Sequence, residues 1–223
     1  MSCDKSEKKI NETFNKISSY YDRMNNLMSL GTHYLIKYFA LKSLRIQNRY
    51  MILDLCCGTG DFTKIFSKLN PGARVIGLDN SIDMLKLAKF KNPHSSFIQG
   101  DCLNLPFGEN EFDIVTAGFG LRNIEDRNKA LSQIHKVLKD GGQFLHLDFG
   151  KHNLFSKIFD LYVKFLTVFF VKNPEPYLYL IESKNDYPEP NELIQEFEDC
   201  GFKMLKRKDF LFGVISAQVF IKG

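Results

Sequence analysis

The sequence lacks several features that would assign it to a particular class of protein. It has no tryptophan, and its five cysteines show neither a C-x-x-C spacing nor paired histidine ligands, so we expect no metal site. An odd cysteine number, with two of them adjacent, argues against a disulfide framework and is typical of a reducing cytoplasm. The net charge of +4 is dispersed along the chain. It therefore gives no indication of nucleic-acid binding.

Long uninterrupted apolar runs are also missing. The N-terminus is too charged to open the apolar run of a signal peptide. The longest apolar stretch, Leu154 to Val171, is interrupted by Lys157, Asp160 and Lys164, whereas a spanning helix needs roughly 20 mostly apolar residues. We therefore expect a cytoplasmic protein with at most a peripheral contact at the inner face of a membrane.

Phenylalanine, in contrast, is abundant. The chain contains 21 Phe and 9 Tyr, which is typical either of a Phe-rich core or of an apolar ligand pocket. The Leu154–Val171 stretch has the same two interpretations. It is either a buried helix or a lid for an apolar tail that touches the bilayer, where Lys157 and Lys164 meet anionic headgroups.

Strands and helices alternate through the middle of the chain. Apolar residues at helical spacing predict an N-terminal helix over residues 8–22 and a second helix from His33 to about Leu44. The Lys-Asp-Gly-Gly run at residues 139–142 is a glycine stop signal and is predicted to end the helix before it. The predicted strands are Met51–Leu55, Arg74–Asp79, Ser96–Gln99, Phe112–Ala117 and Gln143–Phe149, and the helices between them are Asp61–Leu69, Ser81–Phe90 and Arg127–Leu138.

The C-terminal part has a different pattern. A proline-containing segment from Asn173 to Pro190 leads to a helix that ends near Cys200, and two strands with a Gly213 turn form an antiparallel hairpin. The sequence thus predicts one doubly wound α/β domain with a mostly parallel, seven-stranded, Rossmann-like sheet. Its parts are an N-terminal helical cap (1–49), a cofactor-binding core (50–150), a lid (151–190), and the C-terminal helix and hairpin (191–223).

Glycines and acidic residues lie at the ends of the first three predicted strands. After Asp54, a turn with Gly58 and Gly60 lets a ligand approach the backbone closely. The second strand ends in Asp79, which is suited to bind both ribose hydroxyls of an adenosine, and Asp101 after the third can face the adenine. Because carboxyl ends of parallel strands share one sheet edge, these residues predict a nucleoside crevice there.

Dinucleotide dehydrogenases share this layout, but two details differ. Their fingerprint needs a third glycine where this chain has Thr63. Their helix N-terminus also holds a pyrophosphate, whereas the first turn here carries Asp61, whose charge would repel an anion but not a sulfonium-bearing amino acid. These differences favour S-adenosylmethionine over NAD.

Four blocks of sequence resemble one family. The glycine motif from Asp54 to Gly60 is similar to that of class I methyltransferases, and residues 21–33, 119–142 and 177–188 resemble the signatures of the quinone C-methyltransferases that make menaquinone and ubiquinone. The resemblance implies methylation of an aromatic ring carbon on a prenylated hydroquinone, first of all demethylmenaquinol. It places cofactor contacts on Thr59, Asp79, Asp101 and Cys102. With the glycine-loop and neighbouring positions, the expected cofactor-binding residues are Asp54, Gly58, Thr59, Gly60, Asp79, Asp101, Cys102 and Gly118.

Ring methylation depends mainly on positioning and charge stabilisation. We expect Arg122 to stabilise the developing phenolate, with a salt bridge to Asp126 as the alternative, and Asn123 to orient the same oxygen or cap a helix. His33 is a candidate base, although a structural hydrogen bond is the commoner role of a lone histidine. Asp148 is expected to line the site. The other candidate bases are Tyr177 and Tyr179, and His146 is expected to pack in the core.

Several alternatives stay open. The acceptor can instead be a ubiquinone precursor (2-polyprenyl-6-methoxy-benzoquinol) or another lipophilic small molecule. Departures from the family at Tyr34, Ile36 and residues 217–218 also allow a non-catalytic cofactor-binding subunit. The sequence is compatible with a homodimer, although no stripe of residues identifies an interface.

Overall fold

The computed structural model describes Ile10 and residues 21–170 and 174–223. The strands are β1 (Met51–Leu55), β2 (Arg74–Asp79), β3 (Ser96–Gln99), β4 (Phe112–Gly118), β5 (Leu138–Phe149), β6 (Phe202–Phe210) and β7 (Ile215–Lys222). The helices are α1 (Tyr21–Ser29), α2 (Thr32–Leu41), α3 (Asp61–Leu69), α4 (Ile82–Lys91), α5 (Arg127–Val137), α6 (Leu154–Phe170), α7 (Glu175–Asn185) and α8 (Pro190–Asp199). Short 3₁₀ turns occupy Leu121–Asn123 and Leu211–Gly213.

The strands form one sheet of order β3-β2-β1-β4-β5-β7-β6. The pairs among β1 to β5 are parallel, and β7 pairs antiparallel with both β5 and β6. The chain moves outward from β1 through β2 to β3 and then returns to the other side of β1 as β4. This reversal creates a crevice at the carboxyl ends of β1 and β4, where ligands of open α/β sheets bind. The predicted mostly parallel seven-stranded fold is confirmed.

Apolar side chains cover both faces of the sheet. Leu53 of β1 faces a cluster that includes α5 and α8, whereas its neighbour Ile52 faces a cluster with α2 and α3. Successive strand residues point to opposite faces, so burial of both residues requires helices on both sides. The sheet therefore holds its strand ends, and the loops that follow them, between two packed layers.

The structure corrects the predicted boundary after α5. The helix ends at Val137 rather than Leu138, because Leu138 already pairs with Phe112. The register then shifts between Phe112 and Ile114, so residues 139–142 form a bulge at the start of β5 rather than a stop between two elements. Gly141, with φ of +72°, supplies the left-handed backbone that this bulge uses.

Other predicted elements shift or lie outside the described residues. The helix predicted over 8–22 falls mostly outside them, as does Val171 at the end of the Leu154–Val171 stretch. The second predicted helix runs over Thr32–Leu41 instead of continuing to Leu44. Helix α7 was not predicted at all. Within the described residues, no helix is long and apolar enough to cross a membrane.

Candidate active site

The loop between β1 and α3 forms the floor of the site. Gly58 and Gly60 have φ of +53° and +78°, a conformation that glycine adopts without a Cβ clash. The N–H of Gly58 donates to Asp79 Oδ2 at 2.8 Å, and the other Asp79 oxygen accepts from Ser81 N at 2.9 Å. The loop is therefore fixed to the end of β2 as well as to β1.

Asp54 supports this loop from behind. Its Oδ2 accepts from the hydroxyl of Thr63 at 2.9 Å and from the Thr63 N–H at 3.2 Å, and its Oδ1 accepts from Thr116 at 2.9 Å. Burial raises the pKa of Asp54 to about 6, against the lowering effect of these hydrogen bonds. The carboxyl thus connects β1, α3 and β4 beneath the loop.

Two cavities meet above the loop. The strand-end cavity, about 230 Å³, lies over the ends of β2 and β3, and the helix-covered cavity, about 340 Å³, lies under α1, α2 and α7. Both are lined by Tyr21, Cys56, Gly58, Gly118 and Phe119. A ligand in one cavity can therefore reach a ligand in the other across these five residues.

Two of the residues at this junction have strained backbones. Cys56 and Phe119 have φ of +50° and +59°, which costs roughly 1–2 kcal/mol for a residue with a Cβ. The Phe119 N–H is held by Leu147 O at 2.7 Å, and Gly120 leaves room for the Cys56 side chain. Strain of this kind persists where the surroundings fix it and is common at functional sites.

The strand-end cavity has acidic walls. Asp79 and Asp101 line it together with Cys102 and Asn123. Burial raises the pKa of Asp79, although its backbone N–H partners act in the opposite direction. Each Asp79 oxygen has a second lone pair, so the carboxylate can still accept hydrogen bonds from two ligand hydroxyls.

The helix-covered cavity is largely apolar, and Arg122 lies in its wall beside the aromatic residues. Phe149, Phe159 and Ile36 line it as well. Arg122 Nη1 donates to Asp148 Oδ1 at 3.0 Å and to Phe119 O at 2.6 Å, and the guanidinium lies over the Phe149 ring at 5.3 Å. These contacts hold a buried positive charge against an apolar cavity.

A chain of ion pairs closes the other end of the helix-covered cavity. Lys37 donates to Asp61 Oδ2 at 2.7 Å, and Lys91 donates to Asp61 Oδ1 at 3.1 Å and to Asp22 Oδ2 at 2.8 Å. The hydroxyl of Thr59 donates to Asp22 Oδ1 at 2.7 Å. Burial alone would raise the pKa of Asp61, but Lys37 and Lys91 hold it well below its usual range. The network ties α1 and α2 to the glycine loop.

His33 lies next to this network. Its Nε2 is 3.9 Å from Asp61 Oδ2 and its Nδ1 is 2.8 Å from Ser29 Oγ. Burial, assisted by Lys37, lowers the pKa of His33 to about 4. The imidazole is therefore neutral at physiological pH.

Most of the predicted site residues line the two cavities. His33, Thr59 and Arg122 line the helix-covered cavity, and the strand-end residues lie as described above. Asp54, Gly60 and Asp148 line neither cavity. Asp148 was expected to line the site, but it is fully buried behind Arg122. It also forms the salt bridge with Arg122 that was an alternative prediction for Asp126.

Sequence reasoning missed the roles of several residues. Lys37 lies one helical turn after His33 on the same face of α2, which was a usable signal. Tyr179 of the unpredicted α7 donates its hydroxyl proton to Asn123 Oδ1 at 3.1 Å.

Asn123 does not cap α5, since Asp126 occupies that position and accepts from Lys129 N. His146 packs in the core as predicted, between Gln218 and Tyr187.

We expect the His33 imidazole to titrate with a midpoint of about 4 in an NMR titration of its ring resonances. Because this pKa is below the ordinary 6.5, neutral His33 stabilises the fold above pH 6.5, and this contribution is lost as the pH falls through about 4. Lys37→Met should raise the midpoint, since it removes a nearby cation. A wild-type midpoint at 6.5, or no change in the variant, would contradict this environment.

Comparisons with known proteins agree with the sheet and the glycine loop. A demethylmenaquinone methyltransferase from Staphylococcus carnosus is 40% identical over 96% of this chain and 93% of the relative. One from Listeria welshimeri is 35% identical over 90% of each. Among solved structures, a methyltransferase from Thermotoga maritima has a TM-score of 0.71 at 18% identity, over 96% of this chain and 99% of its own.

The family comparison covers almost the whole chain. The model of the ubiE/COQ5 methyltransferase family matches residues 2–222. This range includes the glycine loop, both cavities and the terminal hairpin. The chain belongs to the ubiE/COQ5 methyltransferase family.

Proposed function

We propose that this S-adenosylmethionine-dependent methyltransferase methylates a ring carbon of demethylmenaquinol. The observation that carries the proposal is the pair of cavities that meet at Tyr21, Cys56, Gly58, Gly118 and Phe119. The relatives named demethylmenaquinone methyltransferase support the naphthoquinol as acceptor.

The strand-end cavity fits the adenosine of the cofactor. Asp79 offers two carboxylate oxygens for the ribose hydroxyls, and Asp101 lies beside it for the adenine. When bound, the cofactor supplies an electrophilic methyl group on a sulfonium. The ion-pair network, which is joined to the glycine loop through Thr59, would hold the amino-acid end of the cofactor.

The helix-covered cavity fits the quinol ring. Phe119, Phe149 and Phe159 provide flat apolar walls that pack against an aromatic ring and exclude water. Arg122 provides the positive charge that we expect to stabilise the phenolate during methylation of the ring. Its cation, held by Asp148, favours the ionised form of a phenol next to it, and the extra electron density makes the adjacent ring carbon nucleophilic.

The ring-binding wall is also positioned from α7. Tyr179 lines the helix-covered cavity and holds Asn123, which lines the strand-end cavity. Movement of α7 would therefore change both walls together. In this scheme the protein orients the two reactants and stabilises the phenolate, and it forms no covalent bond with either.

Methyl transfer from radiolabelled S-adenosylmethionine tests the proposal. We expect label in chemically reduced demethylmenaquinone and less in a short-tailed benzoquinol precursor. Asp79→Ala should abolish the transfer because the ribose loses its partner, whereas Asp83→Ala, a matched change at an exposed ion pair with Lys86, should leave it intact.

A second variant separates the two cavities. Arg122→Met should keep S-adenosylhomocysteine binding within about twofold and lower the transfer rate about 100-fold or more, since loss of a charged hydrogen-bond donor to a transition-state oxyanion costs roughly 3 kcal/mol. A preference for the benzoquinol would assign the protein to ubiquinone synthesis. Cofactor binding without label in either quinol would contradict the proposal and leave a non-catalytic role or another lipophilic acceptor.

We also propose a peripheral contact with an anionic bilayer, because a prenylated quinol resides in the membrane. Phe155 of α6 stacks on Phe212 of the β6–β7 turn at 4.4 Å, and the adjacent Leu211 lines the helix-covered cavity. The apolar rim so formed consists of exposed side chains, namely Leu154, Phe155, Ile158, Leu161, Phe165, Phe169, Leu211 and Phe212. Lys157 and Lys164 are exposed on the same helix and can pair with anionic headgroups.

The cytoplasmic location and the homodimer stay predictions.

Vesicle flotation tests the contact of the apolar rim with lipid. We expect the protein to float with phosphatidylglycerol vesicles more than with phosphatidylcholine vesicles. The double change Leu161→Ser and Phe165→Ser should weaken binding at least about tenfold, since each apolar side chain contributes roughly 1.5–3 kcal/mol on full burial. Phe90→Ser, at an exposed phenylalanine of α4, is the matched control. Equal losses in both variants, or no flotation of the wild type, would contradict the contact.

A further inference from the structure

The Nε2 atom of His33 is a buried acceptor on a side chain that lines the helix-covered cavity. The His33 side chain is 9% exposed, and Nε2 has no hydrogen-bond partner within the part of the chain that the structure describes. Ser29 Oγ donates its one proton to Asn25 O at 2.6 Å, so it can only accept from His33 Nδ1. With the ring neutral, the proton lies on Nδ1 and Nε2 carries a lone pair.

A second acceptor lies close to it, on Asp61, which lines the same cavity. Asp61 Oδ2 lies 3.9 Å from His33 Nε2, and two acceptors at that distance cannot bond to each other. Lys37 bonds to Asp61, but its ammonium makes no hydrogen bond to Nε2. A donor placed between Nε2 and Oδ2 would satisfy both atoms, and a cationic donor would gain most from the carboxylate.

The surrounding charges match a zwitterion. Lys37, Asp61, Lys91 and Asp22 follow one another with alternating sign and sum to zero. Lys37 lines the cavity next to the two acceptors, and its ammonium can bind a carboxylate. A ligand that carries an ammonium and a carboxylate on one carbon fits this arrangement, whereas a lone ammonium or a lone carboxylate bound here would leave one group unpaired.

We propose that His33 Nε2 and Asp61 bind the ammonium of the cofactor's amino-acid end, and that Lys37 binds the adjacent carboxylate. This deepens the proposed function, because it rests on S-adenosylmethionine as the cofactor but does not depend on the quinol. It makes His33 a cofactor-binding residue instead of the base that the sequence suggested.

A comparison of two ligands tests the assignment. S-adenosylhomocysteine carries the amino-acid end, and 5′-methylthioadenosine has the same adenosine and thioether without it. By calorimetry, His33→Ala should weaken S-adenosylhomocysteine binding about tenfold or more, as expected for a lost hydrogen bond to a charged group. It should change 5′-methylthioadenosine binding less than about twofold. His94→Ala, at an exposed turn, is the matched control for both ligands.

The outcomes separate this proposal from other roles of His33. Equal weakening of both ligands would show a structural role and overturn the proposal. Unchanged S-adenosylhomocysteine affinity in His33→Ala would also overturn it. If His33→Ala does not fold, the wild-type His33 Nε2 resonance should shift with S-adenosylhomocysteine and not with 5′-methylthioadenosine. Because no quinol is present, failure of the quinol assay leaves this test intact.

Discussion

The site depends on two carboxylates that hold one loop. Asp54 fixes the loop from behind through Thr63 and Thr116, and Asp79 fixes it from the side through the Gly58 N–H. Between these attachments the backbone takes left-handed conformations that expose its upper side to two cavities. Without them, the strained loop would relax and the junction at which the two reactants meet would be lost.

Charge then links the N-terminal helices to this loop. Lys91 and Lys37 surround Asp61, and Asp22 reaches the Thr59 hydroxyl from α1. Buried ion pairs give little net stability, but they select one arrangement because a displaced partner leaves an unpaired charge. The network therefore fixes the position of α1 and α2 relative to the loop. The apolar contacts of α1 with α6 and α7 would not by themselves specify that position.

Local patterns predicted the sheet and the strand-end residues, because a buried strand followed by glycine or aspartate is visible within a few residues. Pairings between distant residues were not visible. Lys37 and Asp61 are 24 positions apart and Lys91 and Asp22 are 69 apart. Lys37 and Lys91, which pair with Asp61, were not included when the charge of Asp61 was used to favour S-adenosylmethionine. The family supports that cofactor. Helix α7 was missed because Pro174 and Pro176 suggest a break, yet a first helical turn tolerates proline.

The most direct test of the two-cavity site is a crystal structure with S-adenosylhomocysteine and a short-tailed naphthoquinone. We expect the adenosine between Asp79 and Asp101, the sulfur above Gly58, and the quinone ring beside Arg122 in the helix-covered cavity. A quinone ring bound only against the apolar rim, or an adenosine in the helix-covered cavity, would contradict the assignment of the adenosine and the quinol ring to different cavities.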